Sequence, residues 1–214
     1  IQSLPKPLIA VIDLLAQGRL VKAEQICKLF LQKNPRNVEG MRLLSQIALK
    51  LGVLDDAEFL LESALEFSPN NSRIRIEYIQ VLRKRQNYAG ALHQAKVLLE
   101  MDKENPQFQS VFAIEAMQSG DFENALIVFD KILEKIPEDP VTLTSRGHLL
   151  KTCGEREKAI DSYRRAIKKY PGHGEAYFSL SNLKLFEFSD EDIALMEDQE
   201  AVSYTHLRAH ETYT

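Results

Sequence analysis

Pro35, Pro69, Pro137 and Pro171 fall on multiples of a 34-residue period, and Lys103 fills the one slot in the series where proline is missing. A recurrence of that length constrains this chain more than its composition does, because so short a unit cannot bury a core alone and must lean on its neighbours. Counting back from the slot gives five units, 4–37, 38–71, 72–105, 106–139 and 140–173. Position 20 is then alanine in every unit (Ala23, Ala57, Ala91, Ala125, Ala159), and position 15 is Gly18, Gly52, Gln86, Gly120 and Gly154.

These residue types have mechanical reasons. A first helix of about 14 residues runs to the glycine, whose tolerance of positive φ closes a turn, and a second helix folds back antiparallel. Alanine at position 20 thins the second helix where the two cross, and Ser45, Ala113 and Gly147 at position 8 do the same for the first. Position 27 faces the next unit with Phe30, Ala64, Leu98, Ile132 and Ala166. Proline ends the second helix because it has a fixed φ and no amide hydrogen. Apolar residues follow three-and-four spacing, as in Leu43, Leu44, Ile47, Ala48 and Leu51, and no stretch alternates as a strand would. The expected fold is all-α, a right-handed superhelical α-α solenoid of five helix hairpins plus a terminal helix.

The units resemble tetratricopeptide repeats over 4–173, with a sixth first helix at 174–187 and a junction helix completing a 174–200 segment; residues 1–3 are a remnant before the array. Unit three departs at Gln86 and Lys103, and Pro5 and Pro7 are expected to delay the opening helix to near Leu8, where it frays. The resemblance implies a non-catalytic array that takes a protein or peptide ligand on the concave side, at positions 2, 5, 9, 12 and 13 of the first helices. Those positions carry Arg42, Gln46, Lys50, Arg73, Gln80, Arg83, Lys84, His148 and Lys151, with apolar Ile76, Ile114 and Met117 between them. The expectation is a weakly basic groove for an acidic or extended peptide, or for a neighbouring domain; the alternative is an ordinary solvated helix face. Position 6 holds Ile9, Leu43, Glu77, Val111 and Ser145, lacking the asparagine of the clamps that hold chaperone carboxyl termini.

Composition narrows the partners. With 27 Lys and Arg against 31 Asp and Glu, the net charge of -4 supplies no global field for nucleic acid or an anionic membrane. No apolar run is long enough to span a bilayer, and the opening residues lack a basic start with a cleavage site, which points to the cytoplasm, although the chain begins at Ile1 rather than Met. Cys27 and Cys153 sit in different hairpins and read as small buried hydrophobes in a reducing compartment. The histidines at 93, 148, 173, 206 and 210 form no metal-ligand cluster, no phosphate-loop or nucleophile motif occurs, and Asp55 with Asp56 and Glu155 with Glu157 read as helix starts. No cofactor is expected.

The segment after the fifth unit carries a second resemblance. Ala176, Tyr177, Ser179, Leu180, Asn182, Leu183, Lys184, Phe186, Phe188, Ser189, Asp190, Asp192, Ile193 and Met196 match the junction of bacterial proteins that join a tetratricopeptide array to a sulfotransferase domain. That implies a parent enzyme using 3′-phosphoadenosine 5′-phosphosulfate, whose phosphate loop is not in this chain. Ser189 and Asp192 form a capping-box variant that predicts a helix from Asp190. Val202 to Thr212 matches the translation of a transposase-adapter sequence, so 201–214 is expected to be a non-native tail on a truncated fragment. An array cut there would expose Leu180, Leu183 and Phe186 and self-associate. Two functions fit: a substrate-positioning scaffold linked to a sulfotransferase, or a free-standing scaffold for a multiprotein complex.

Overall fold

The computed structural model describes residues 4–183, 189–190, 193–194 and 196–197. Among the described residues there are eleven helices and no strand, so the all-α expectation holds. The chain divides into two units after Ser119. In the first, α1 (Lys6–Ala16) pairs with α2 (Leu20–Lys33), α3 (Val38–Leu51) with α4 (Leu54–Phe67) and α5 (Ser72–Lys84) with α6 (Tyr88–Met101), and α7 (Pro106–Gln118) packs on α6. The second contains α8 (Phe122–Lys135), α9 (Pro140–Thr152), α10 (Arg156–Lys169) and α11 (Gly174–Ser181), with α9 and α10 forming its hairpin.

All five position-20 alanines are fully buried, which is what a close helix crossing requires. Between α9 and α10 the crossing leaves no room for a side chain at Gly147, where a Cβ would collide with the buried Tyr163 ring. Gly18, Gly52, Gly120 and Gly154 all adopt φ between +70° and +88°. Gln86 adopts φ +60°, so unit three keeps the left-handed turn without glycine. Its turn closes as the glycine turns do: Asn87 N–H reaches the Leu82 carbonyl at 2.9 Å, as Val53 N–H reaches Ala48 at 2.9 Å.

Between units, Asn37, Asn71, Asn105 and Asp139 cap α3, α5, α7 and α9, each side chain accepting from a backbone N–H of the first turn. Where proline is missing, the Gln109 amide donates to the Lys103 carbonyl at 2.7 Å, just as Arg75 donates to the Pro69 carbonyl at 2.6 Å one unit earlier. The loop after α6 thus keeps the side-chain bond of the proline-containing loop before it, although proline itself is missing.

Several expectations need correction. Helix α1 starts at Lys6, two residues before Leu8, because Pro7 lies in the first turn, where a missing amide hydrogen costs nothing. Cys27 is buried, with its thiol donating to the Gly40 carbonyl at 3.3 Å and pushed up to about 11 by burial, but Cys153 is exposed at the end of α9. Helix α11 ends at Ser181 with Asn182 as its cap; the expected continuation to Phe186 lies outside the described residues. Leu180 and Leu183 are buried in the α9–α11 core, with Met196 packed against it, so the exposed apolar end expected there is absent at those two residues. The Ile193 N–H donates to the Ser189 carbonyl at 3.0 Å, and Asp190 is helical, as the capping signal predicts; Asp192 and residues 201–214 lie outside the described residues.

One core position breaks the repeat. Position 10 is Ile47, Val81 and Leu149 in units two, three and five, all buried, but Glu115 in unit four. Glu115 is 1% exposed. Its sole ion-pair partner among the described residues is Arg83 Nε, 3.4 Å away, and neither carboxylate oxygen makes a hydrogen bond of good geometry. Burial raises its pKa above the ordinary 4.5, partly opposed by Arg83.

Three substitutions probe these core features. Gln86→Gly is expected to raise the urea midpoint by the equivalent of about 0.5–1 kcal/mol, since only glycine holds that φ without steric cost. Gly52→Ala should lower it by a similar amount or more. Glu115→Leu is expected to stabilise the fold by about 1–4 kcal/mol at neutral pH. A carboxyl whose folded-state pKa is raised contributes most below its unfolded value of 4.5, and that contribution is lost as pH rises through the folded value. The advantage of Glu115→Leu over the parent should therefore grow from acid to neutral pH; equal midpoint differences at both would show that the buried carboxyl carries no cost.

Candidate functional site

The first helices α3, α5 and α7 converge on a groove of about 480 Å³. Its lining comes from Gln46 on α3, from Ser72, Arg73, Ile76, Glu77 and Gln80 on α5, and from Gln107 and Phe108 on α7. A smaller pocket of about 80 Å³ shares Gln46, Glu77 and Gln80 and continues between Ser45, Leu49, Leu61 and Val81. Helical spacing explains the gathering on α5: residues three and four apart share one face, so Arg73, Ile76, Glu77 and Gln80 point the same way.

Glu77 organises the charge. Its Oε1 accepts from Arg42 Nη1 at 2.9 Å and Gln46 Nε2 at 3.2 Å, and forms an ion pair with Arg73 Nε at 3.6 Å. Its Oε2 is buried with no hydrogen-bond partner. Arg42 in turn grips Glu39 with two bonds, Nε to Oε2 at 2.8 Å and Nη2 to Oε1 at 2.6 Å, and the guanidinium holds the Glu39 carboxyl below its usual range.

Of the residues predicted for the groove, the structure brings together Gln46, Arg73, Ile76 and Gln80. Arg42 is a correction: at 2% exposure it is a buried strut between two carboxylates, because its length lets the guanidinium fold back onto Glu39 and across to Glu77. Arg83 is half-buried against Glu115. The groove is consequently close to charge-neutral rather than basic. Lys50 and Lys84 are exposed, and Ile114 and Met117 half-buried, outside this lining. In the second unit, His148 bridges helices, with Nδ1 3.1 Å from the Tyr163 hydroxyl and Nε2 3.3 Å from Glu175 Oε1, while Lys151 is exposed in the last turn of α9.

Sequence reasoning missed Ser72, Glu77, Gln107 and Phe108. Glu77 did carry a signal, being a charge at position 6, which is apolar in Ile9, Leu43 and Val111. A third cavity, of about 240 Å³, lies between α2, α3 and α4, walled by Leu44, Ala48, Phe59 and Leu60 with Glu24, Lys28 and Asp56 at its edge. Among the described residues no group of three or more His, Cys, Asp or Glu is placed to hold a metal, and no helix is long and apolar enough to cross a membrane.

The hairpins have known counterparts. Residues 28–142 match the family model of the cytochrome c-type biogenesis protein H TPR domain, and residues 142–173 match a tetratricopeptide repeat model. DnaJ homolog subfamily C member 3 of Bos taurus is 26% identical over 156 residues, covering 73% of this chain and 27% of that protein. The chain spans less than a third of the length of each curated relative compared. Among solved structures, YrrB, a TPR protein with an unusual peptide-binding site, superposes with a TM-score of 0.64 at 19% identity, over 79% of this chain and 87% of YrrB. MamA from Desulfovibrio magneticus RS-1 gives 0.69 at 14% identity, over 78% and 94%. At those identities the likeness is one of fold. The family match, in contrast, covers just over half of the sequence, and the chain belongs to the tetratricopeptide-repeat family represented by the cytochrome c-type biogenesis protein H TPR domain.

Proposed function

We propose that this chain is a non-enzymatic scaffold that holds a segment of a partner protein in the groove between α3, α5 and α7. The observation that carries the proposal is the convergence of three first helices on one cavity that offers both an apolar bed, Ile76 and Phe108, and polar groups, Gln46, Glu77, Gln80 and Gln107. A mixed lining of that kind suits recognition, since apolar contact supplies affinity and a few fixed polar groups supply orientation. The peptide-binding site named for YrrB supports a similar use of the fold here. Two free cysteines, one buried and one exposed, support a reducing compartment such as the cytoplasm.

A second reading rests on the junction residues from Ala176 to Met196, which resemble the junction in proteins that carry a sulfotransferase domain after a tetratricopeptide array. In that reading the groove positions acceptor substrates for a domain using 3′-phosphoadenosine 5′-phosphosulfate, and the chain's own residues take no part in transfer. The free-standing scaffold fits the groove equally well.

Two experiments test these readings. A photo-crosslinking residue placed at Gln80 or Gln107 is expected to trap the partner, while the same residue at exposed Glu62 on α4 should not; equal trapping at all three would remove the groove from consideration. Re-sequencing the source gene across the Glu200 codon is expected to replace the Val202–Thr212 frame with one leading to a strand, phosphate loop and helix. A native frame through those residues would defeat the adapter reading, and a downstream gene sequence encoding no strand, phosphate loop and helix within about a hundred residues would defeat the sulfotransferase reading.

A further inference from the structure

Apart from the groove, we infer that this chain binds a second copy of itself, the outward face of α4 on one copy lying antiparallel against the outward face of α10 on the other. Helix α4 carries Asp55, Asp56, Glu58, Glu62 and Glu66 and no lysine or arginine. Helix α10 carries Arg156, Lys158, Arg164, Arg165, Lys168 and Lys169 against Glu157 and Asp161. The opposition is in register. Positions 25 and 29 of the repeat are Glu62 and Glu66 in unit two but Arg164 and Lys168 in unit five, and all four are exposed. Each is a like-charge pair four residues apart, unfavourable within its own helix and relieved when the opposite pair faces it. Asp55 and Glu58 are held by Arg85, which leaves Glu62 and Glu66 to face outward.

An apolar contact sets the direction. Phe59 is 68% exposed, one turn before Glu62, in the wall of the cavity that Leu44, Ala48 and Leu60 complete. Tyr170 is 56% exposed, just past Lys168. At a rise of about 1.5 Å per residue, Phe59 lies about 4.5 Å before Glu62 and Tyr170 about 3 Å beyond Lys168. Pairing Glu62 with Lys168 and Glu66 with Arg164 therefore brings the Tyr170 ring to Phe59 and the cavity mouth, where Glu24 and Asp56 can accept from its hydroxyl. A parallel alignment would carry that ring past Glu66, away from the cavity. The occupant is a second copy because both halves of the contact are written into one chain, at matching positions of the repeat. None of these residues lines the groove.

The test is sedimentation equilibrium on the full chain. The mass is expected to rise from one copy to two or more with concentration, and raising NaCl from about 50 to about 500 mM should weaken association by about tenfold or more. Phe59→Ser and Tyr170→Ser, both at exposed positions, should each weaken it by about tenfold. A charge exchange fixes the surface. One variant carrying Glu62→Lys with Glu66→Lys, and another carrying Arg164→Glu with Lys168→Glu, should each stay at one copy where the parent associates. Mixing the two variants should restore the complex, which also shows that both are folded. A photo-crosslinker at Glu62, silent toward the partner in the groove, should join two copies of this chain. A parent that remains at one copy up to about 1 mM in low salt would overturn the inference. So would association that both charge variants retain, or a mixture that fails to associate.

Discussion

The close crossing of the two helices in each unit is the constraint from which the rest descends. Five alanines at position 20, all without exposed surface, let the second helix approach the first with nothing between them but methyl groups and backbone. A larger side chain would push the helices apart and shift the ridges that the next hairpin packs against. Once the crossing is fixed, the faces of α3, α5 and α7 are fixed too, and the groove of the first unit is what remains on the side that no second helix covers.

Much of this was legible in the sequence because it depends on residue size and backbone freedom, which recur in phase. Alanine, glycine and proline positions placed the helices to within a few residues, and even the irregular third unit kept its register. What the pattern could not show is how a departure is absorbed. Gln86 takes the conformation of the glycine it replaces, and Gln109 keeps at Lys103 the carbonyl bond that Arg75 makes at Pro69, so the loop holds its shape without the ring. A count of motif matches registers both positions only as losses, because it reads residue types and not the backbone conformation and loop bond that persist at them. The caps at Asn37, Asn71, Asn105 and Asp139 recur at position 34 of their units and were available to a closer reading.

The groove was only half legible, for a different reason. Helical spacing correctly gathered Gln46, Arg73, Ile76 and Gln80, because spacing sets which face a residue occupies. Charge balance is a property of pairs, and the pairs cross between helices: Arg42 with Glu77 and Arg83 with Glu115 are more than thirty residues apart in the chain. Counting arginines along one face therefore suggested a basic surface, whereas the structure sets each beside an acid. The same pairing explains how a carboxylate can occupy an aliphatic position in unit four at all, since the half-buried Arg83 partly offsets the cost of sinking Glu115.

The unequal placement of the two cysteines has a practical side. Cys27 is sealed in the α1–α3 core with its sulfur engaged by a carbonyl, and Cys153 stands at the surface where α9 ends. Nucleophilic attack requires both access and a thiolate, so a maleimide dye would discriminate between them without any engineering. The chain thus comes with a single natural attachment point for a fluorophore or a surface tether, on a helix that contributes nothing to the groove lining.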